Sequence, residues 1–287
     1  MSSPTIQWYP GHIAKAERLL MDQLKRVDVV LEVRDARIPF STHHPQVDQW
    51  VADKERVLVL NRVDMIPVQI QEQWQAWFKA QGQQIYFTDA QHGTGTKGLA
   101  KAAALAGAKM NQRRANRGMK PRAVRAVMIG FPNVGKSALI NRLVQKRVVE
   151  SARKPGVTKS LRWVRVGQAL DLLDAPGVLP AKLNDQAAAV KLALCDDIGQ
   201  ASYDNQRVAS ELVEQLKILQ GLERSPVNEK ILCDRYGVDE AAFTGEEYVL
   251  AVAEERYQGD RERTARHILN DFRKGLLGKI PLELPPN

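Results

Sequence analysis

Eight residues, Gly130-Phe-Pro-Asn-Val-Gly-Lys-Ser137, constrain this chain more than any other stretch. They follow an apolar run, Val124 to Ile129, and precede a helix-like pattern, Ala138-Leu-Ile-Asn-Arg-Leu143. Strand, glycine loop and helix in that order make a phosphate-binding P-loop, G-x-x-x-x-G-K-[ST]. The glycines let successive backbone N–H groups converge on phosphate oxygens, and the helix N-terminus adds its dipole. In such a loop Lys136 neutralises the β- and γ-phosphates, and Ser137 offers its hydroxyl to Mg2+.

The residues before the loop alternate between two periodicities. Ile13, Ala16, Leu19, Leu20 and Leu24 recur at helical spacing, so residues 12–26 read as an amphipathic helix. Val27–Val33, Arg56–Leu60 and Ile85–Thr88 are short β-branched or apolar runs and read as strands, with helices over 69–80 and about 97–110. Strands alternating with helices argue a parallel sheet covered on both faces, the doubly wound α/β class. His43 and His44 lie in a loop without a third partner and read as surface residues rather than metal ligands. Two further strands are expected near 161–166 and 169–173. After Pro180 the chain turns helical, with helices near 185–195, 206–221, 227–236, 246–255 and 260–276. The expected division is therefore an α/β domain over 1–183 and a small all-α domain over 184–287.

A P-loop takes many nucleotides, and the base reader must lie elsewhere. Asn61-Arg-Val-Asp64, at the end of a strand, resembles the guanine-reading N-K-x-D motif of GTPases. An Asp there accepts from guanine N1–H and the 2-amino group, whereas adenine would leave the carboxylate unpaired. Asn61 would bind N7 or tie its loop to the P-loop, and Arg62 replaces the usual Lys, whose stem lies over the base. Asp89-Ala-Gln91, entered from Thr88, sits where GTPases have S-A-K, with Ala90 the informative match. Asp174-Ala-Pro-Gly177 matches D-x-x-G, the Asp holding Mg2+ through water and the Gly N–H meeting the γ-phosphate. Thr158 is the sole threonine between the P-loop and Asp174, hence the natural switch threonine completing the Mg2+ shell. Asn133, Val134, Gly135 and Ala138 complete the set expected around the nucleotide.

The order of these motifs is unusual. Ordinary GTPases run P-loop, switch threonine, D-x-x-G, N-K-x-D, S-A-K; here the last two come first. The reading is a circularly permuted P-loop GTPase domain with a doubly wound, mostly parallel sheet, followed by the small all-α domain. The basic segment 97–122 then bridges the old termini. The helical domain follows directly on the switch that senses the γ-phosphate, so nucleotide state is expected to reorient it.

The chain thus resembles the circularly permuted GTPases of ribosome biogenesis, the bacterial YlqF/RbgA group. Beyond the GTPase motifs, the likeness includes Trp8-Tyr-Pro-Gly-His-Ile-Ala-Lys-Ala16, Asp35-Ala-Arg-Ile-Pro39, Lys120-Pro-Arg122 and the helical C-terminal part. The resemblance implies a GTP-binding, GTP-hydrolysing factor that matures the large ribosomal subunit. Its activity would be stimulated by the particle and its C-terminal domain would contact RNA. It also suggests His12 as a catalytic residue together with Lys136 and Thr158, since Val178 stands where Ras-type enzymes carry the water-orienting Gln. Asn133 matches the P-loop asparagine of potassium-activated relatives, in which K+ replaces an arginine finger.

Charge points the same way. The net charge is +9, yet residues 184–287 carry 13 Lys and Arg against 19 Asp and Glu, leaving the first 183 residues at +15. A field so lopsided favours a polyanion, with ribosomal RNA ahead of an acidic membrane surface. Within the acidic C-terminal part the closing stretch is basic, with Arg256, Arg261, Arg263, Arg266, Arg273, Lys274 and Lys279. No secretory signal is visible and Cys195 and Cys233 are isolated, which fits a reducing cytoplasm. Nothing in the sequence demands more than a monomer. Two other readings stay open at this level: an RNA-binding module with a vestigial or regulatory nucleotide site, and a GTPase acting on tRNA or at an acidic membrane.

Overall fold

The computed structural model describes residues 6, 11–51, 54–149, 162–180, 183–199, 202–223 and 225–286, with the side chains of 11–16 outside that description. Six strands form one sheet: β1 (Val29–Asp35), β2 (Glu55–Asn61), β3 (Ile85–Thr88), β4 (Val124–Ile129), β5 (Arg162–Val166) and β6 (Leu170–Asp174). Their spatial order is β3-β2-β1-β4-β6-β5. All neighbours pair parallel except β5, which returns antiparallel beside β6.

A parallel sheet is buried on both faces, so its strands are apolar on both. Leu31, Val33, Val59, Ala126, Met128 and Leu172 point to one side. There they meet Leu99 and Ala103 of α4 (Thr96–Ala106) and Leu139 and Ile140 of α6 (Lys136–Val144). Val30, Val127, Ile129 and Leu173 point to the other, against α1 (Gly11–Leu24) and α2 (Val47–Val51). Leu58 and Leu60 face the same way, under Ile70, Trp74 and Phe78 of α3 (Val68–Ala80). The doubly wound sheet is as expected. β4, which feeds the P-loop, is fourth along the chain but sits at the centre, so the permuted order is the observed connectivity.

The helix expected over 97–110 is two helices, α4 and α5 (Ala108–Ala115), broken at Gly107. A Cβ on Gly107 would lie 2.4 Å from the Val124 methyls, so only glycine lets the chain pass this close to β4. After β6 the chain is helical: α7 (Gln186–Leu194), α8 (Asn205–Gln220), α9 (Ile231–Tyr236), α10 (Gly245–Tyr257) and α11 (Arg261–Arg273). Side-chain caps start four of them: Asp185, Asp204, Asp260, and Thr244 in a reciprocal capping box with Glu247.

These helices pack onto the sheet domain. Ala189, Val190 and Leu192 to Cys195, with the α8 core, belong to the same apolar cluster as the sheet. The C-terminal segment returns to the loop after β1, where Leu282 and Glu283 donate backbone N–H groups to the Arg37 carbonyl. Glu283 in turn accepts from the Phe40 N–H at 2.7 Å. Arg273, counted in the sequence among the basic residues of the closing stretch, is instead buried and donates to the carbonyls of Ala193 and Leu194. It ties α11 to α7.

Candidate nucleotide site

The carboxyl ends of the parallel strands converge, as they do where open α/β sheets bind ligands. β1 ends in Asp35, β2 in Asn61, β3 in Thr88 and β6 in Asp174, and β4 runs into Gly130. The site residues placed by sequence motifs from distant parts of the chain therefore meet at one edge.

The P-loop is held by close backbone approaches that exclude side chains. A Cβ on Gly130 (φ +149°) would lie 2.2 Å from the Val33 carbonyl oxygen, and one on Gly135 (φ +100°) 2.2 Å from Asn61 Nδ2. Lys136 begins α6 and is buried, its Nζ donating to the carbonyls of Gly130 (3.1 Å) and Phe131 (2.6 Å). Burial pushes its pKa down to about 8, with Asp174 and Asp197 resisting. The ammonium is thus packed on its own loop with few solvent contacts, which primes it for an anion. Val134 is fully buried, its N–H donating to the Pro132 carbonyl at 2.8 Å, so its side chain shapes the loop from the core.

Ser137 Oγ lies 3.0 Å from Asp174 Oδ2. Burial raises the Asp174 pKa against the opposing pull of Ser137 and Lys136. A hydroxyl and a carboxylate at this distance form a hard-oxygen pair suited to Mg2+. Gly177 packs so closely that a Cβ would lie 2.6 Å from the Pro132 backbone, and the next residue, Val178, donates its N–H to the Gly130 carbonyl at 3.2 Å. The Val178 side chain is 3% exposed and belongs to the core beside Leu173 and Val127. It has no part in positioning water.

The loop from Asn61 to Asp64 is locked to the P-loop. Asn61 Nδ2 donates to the Val134 carbonyl at 2.8 Å, while its Oδ1 accepts from Thr88 Oγ1 at 3.1 Å. Of the two roles open to Asn61, the structure shows the tie. Arg62, in the left-handed region (φ +63°), reaches the Asn133 carbonyl at 2.7 Å and approaches Asp35 at 3.5 Å. Its guanidinium therefore joins two site loops, a job the compact ammonium of Lys does with fewer bonds. Asp64 is half-buried; burial and then neighbouring Asp89 raise its pKa. Asp89 folds its own loop by accepting from the N–H groups of Gln91 (2.7 Å) and His92 (3.1 Å), which leaves Ala90 at the loop's bend. Ala138 is half-buried on the first turn of α6.

Two expected residues lie beyond this geometry. Thr158 falls outside the described residues, and His12 is placed only as the second residue of α1, its side chain outside them.

Several site neighbours had no clear signature in the sequence. Asp35 and Arg37 form a fully buried ion pair, with Nε at 3.0 Å from Oδ1 and Nη2 at 2.7 Å from Oδ2. Burial drives the Asp35 pKa up, but Arg37 and Arg62 outweigh it and hold the carboxyl low. Arg37 also donates to the Cys195 carbonyl. Beside it, Asp197 is fully buried with neither carboxylate oxygen hydrogen-bonded among the described residues, and burial followed by Asp35 pushes its pKa well up. The Asp35-Ala-Arg37 spacing was the available hint; adjacent acids after an apolar helix gave none. Of the two histidines expected at the surface, His44 is buried and His43 is half-buried. His44 is buried against the Trp50 ring at 4.2 Å, and burial drops its pKa to about 4. His43 Nδ1 lies 2.7 Å from Arg34 Nη2, from which it accepts when unprotonated, and 2.9 Å from Glu32 Oε1, to which it donates when protonated.

Comparison with known proteins agrees with this geometry. Residues 125–227 match the family described as 50S ribosome-binding GTPase. Over 98% of its length the chain is 35% identical to ribosome biogenesis GTPase A of Bacillus cereus, covering 94% of that protein. It is 37% identical to the same-named protein of Priestia megaterium, covering 97% of it. The GNP-bound crystal structure of YlqF from Thermotoga maritima superposes with a TM-score of 0.66 at 27% identity, over 95% of this chain and 99% of that one.

Proposed function

This chain belongs to the ribosome biogenesis GTPase A family, and on that premise we propose how it works as a GTP-hydrolysing assembly factor for the large ribosomal subunit. The carrying observation is the lock between base reader and phosphate loop, Asn61 to Val134 and Arg62 to Asn133. It makes one site from motifs lying in permuted order. An intact lock with Lys136, Ser137, Asp64 and Asp174 in place disfavours a vestigial site.

In this reading GTP enters with guanine on Asp64 and the Ala90 loop, and its phosphates over Val134 to Ala138. Lys136 then exchanges its two carbonyl partners for β- and γ-phosphate oxygens. Ser137, Thr158 and Asp174 would hold Mg2+, Asp174 through water, and the ion when bound would offset charge on the transferring phosphate. Gly177 offers its N–H to the γ-phosphate. With Val178 buried and no glutamine in its place, unassisted turnover is slow, on the order of 10⁻⁴ to 10⁻³ s⁻¹. His12, brought in on the particle, is the proposed water-orienting group. Asn133 is the proposed K+ ligand.

Residues 184–287 form the proposed RNA-contacting unit. On α11 Arg263, Arg266 and His267 are exposed, as is Lys274 just after it. Tyr257 stacks on His267 (4.9 Å between centroids), and Arg263 lies over Tyr257 at 5.6 Å. Basic and aromatic groups interleaved in this way suit nucleic acid. The protein binds the immature particle as a GTP-loaded monomer in the cytoplasm and leaves after hydrolysis. Among the described residues, no helix is long and apolar enough to cross a membrane.

The test is GTP hydrolysis measured with and without large subunits across a salt series. Stimulation that weakens steeply with salt is expected. Equal rates with and without particles would overturn the proposal.

A further inference from the structure

β5 is the last strand of the sheet, and no described strand pairs with its outer edge. Its alternation turns Val164 into the core at 6% exposure and Trp163 and Arg165 to the opposite face. Trp163 remains 40% exposed there. Arg125 reaches it from β4, with its guanidinium 5.8 Å from the Trp163 ring centroid. Asp171 lies opposite both Arg125 and Arg165 in the register, and Arg165 holds it at 2.6 Å. Arg162 is exposed too, but it alternates onto the Val164 side and is not part of this face.

This combination is specific in what it suits. An exposed indole forgoes the stabilisation of burial, so a monomer gains little by placing it here. Among the described residues, Asp171 is engaged by Arg165, and Asp28, which accepts from the Arg125 N–H, is engaged by Arg122, leaving a basic surround. Trp and Arg also anchor protein interfaces, but a positive field around an exposed ring, in the strongly basic part of the chain, favours a polyanion. A nucleobase needs an aromatic face, with cations near enough for its phosphates. Duplex RNA hides its base faces, so an unpaired nucleotide is the fitting occupant.

We propose that Trp163, flanked by Arg125 and Arg165, is a stacking platform for an unpaired RNA base, separate from the α11 face. RNA as the nucleic acid rests on the ribosome-assembly reading, whereas the platform itself rests on the geometry. Arg162 is paired in register with Asp174. A base held on β5 therefore lies one strand from the carboxylate that faces Ser137.

The test is fluorescence anisotropy of the full chain with a labelled, unstructured single-stranded oligoribonucleotide, comparing wild type, Trp163→Ala and Trp163→Phe. Trp163→Ala should weaken binding about tenfold, the loss of one stacked base, and Trp163→Phe should retain most of the affinity. Basal GTP hydrolysis should be unchanged in both. The proposal is overturned if Trp163→Ala binds within about twofold of wild type, or if a folded Trp163→Phe is as weak as Trp163→Ala. It is equally overturned if Trp163→Ala loses affinity for large subunits while the free oligonucleotide binds as before, which would mark a protein contact. Failure of large subunits to stimulate the wild type would sink the assembly reading instead, and the oligonucleotide comparison would still decide the platform.

Discussion

The Asn133 side-chain amide donates to the Asp196 main-chain oxygen at 2.7 Å, joining the P-loop to the turn between α7 and α8. Asp196 can present that oxygen because it sits in the left-handed region (φ +63°), a conformation Asp tolerates better than most residues. The preceding carbonyl, of Cys195, accepts from Arg37, which is itself fixed by Asp35 at the end of β1. Two site loops therefore grip one turn of the helical part. A nucleotide on the P-loop should reach those helices through this turn as well as through the segment Asp174–Gly177.

That route is measurable. Asn133→Ala removes one neutral hydrogen bond, worth about 1 kcal/mol, so amides of residues 195–199 should exchange roughly fivefold faster. In the wild type, GTP should change protection at this turn, and in the variant that change should shrink. Hydrogen exchange indistinguishable from wild type would show that the bond carries no coupling.

Asp197 gives a stability prediction with a definite sign. Burial raises its carboxyl well above the ordinary value of 3.8, and Asp35, Arg37, Arg62 and Asp196 surround it. Between 3.8 and the raised value the native state holds a proton that the unfolded chain has released. Stability contributed by this group is therefore lost as pH rises through that window, and below 3.8 the group makes no difference. Asp197→Asn should remove the slope and stabilise the protein near neutral pH by about 1–3 kcal/mol. Asp35, held low by Arg37 and Arg62 against burial, acts oppositely: its contribution is lost as the solution is acidified. Chemical denaturation of both proteins from acid to neutral pH checks this, and parallel profiles would refute it.

These two groups also show what a sequence can and cannot disclose here. β3 and β4 lie on the expected residues because buried parallel strands are apolar runs bounded by turns, a local signal. The P-loop, Asn61–Asp64 and Asp174–Gly177 were legible because phosphate and guanine chemistry dictates residue types at fixed spacing. Arg37 meets Cys195 across 158 residues, and Glu283 meets Phe40 across 243. No periodicity encodes such pairings. Gly107 breaks a good helix pattern for the same reason, since the obstacle is Val124 on another element. His44 reads as polar, yet tertiary packing places it on Trp50.

Guanine selection should follow Asp64. Its carboxylate is half-buried beside Asp89, so an unpaired charge there is costly and a base that offers two donors is favoured. Asp64→Asn should lower GTP affinity roughly tenfold to a hundredfold and raise that for xanthosine triphosphate, whose 2-oxo group accepts from the new amide. Competition against a fluorescent GTP analogue measures both. An unchanged preference for GTP would show that the base is read elsewhere.

Gly177 tests whether the switch must close tightly on the P-loop. A Cβ there would lie 2.6 Å from the Pro132 backbone, which has no flexible end to yield, so the segment itself must back away. Such overpacking costs about 1–3 kcal/mol and would weaken the Val178 to Gly130 hydrogen bond. Asp64, Asn61 and Lys136 lie outside the clash, so Gly177→Ala should bind GDP nearly as wild type. The γ-phosphate contact needs the closed switch, and particle-stimulated single-turnover hydrolysis should fall about tenfold or more. Retention of full stimulated turnover would mean that Gly177 does not approach the γ-phosphate during the reaction. Equal losses of GDP binding and hydrolysis would instead place the defect in the P-loop as a whole.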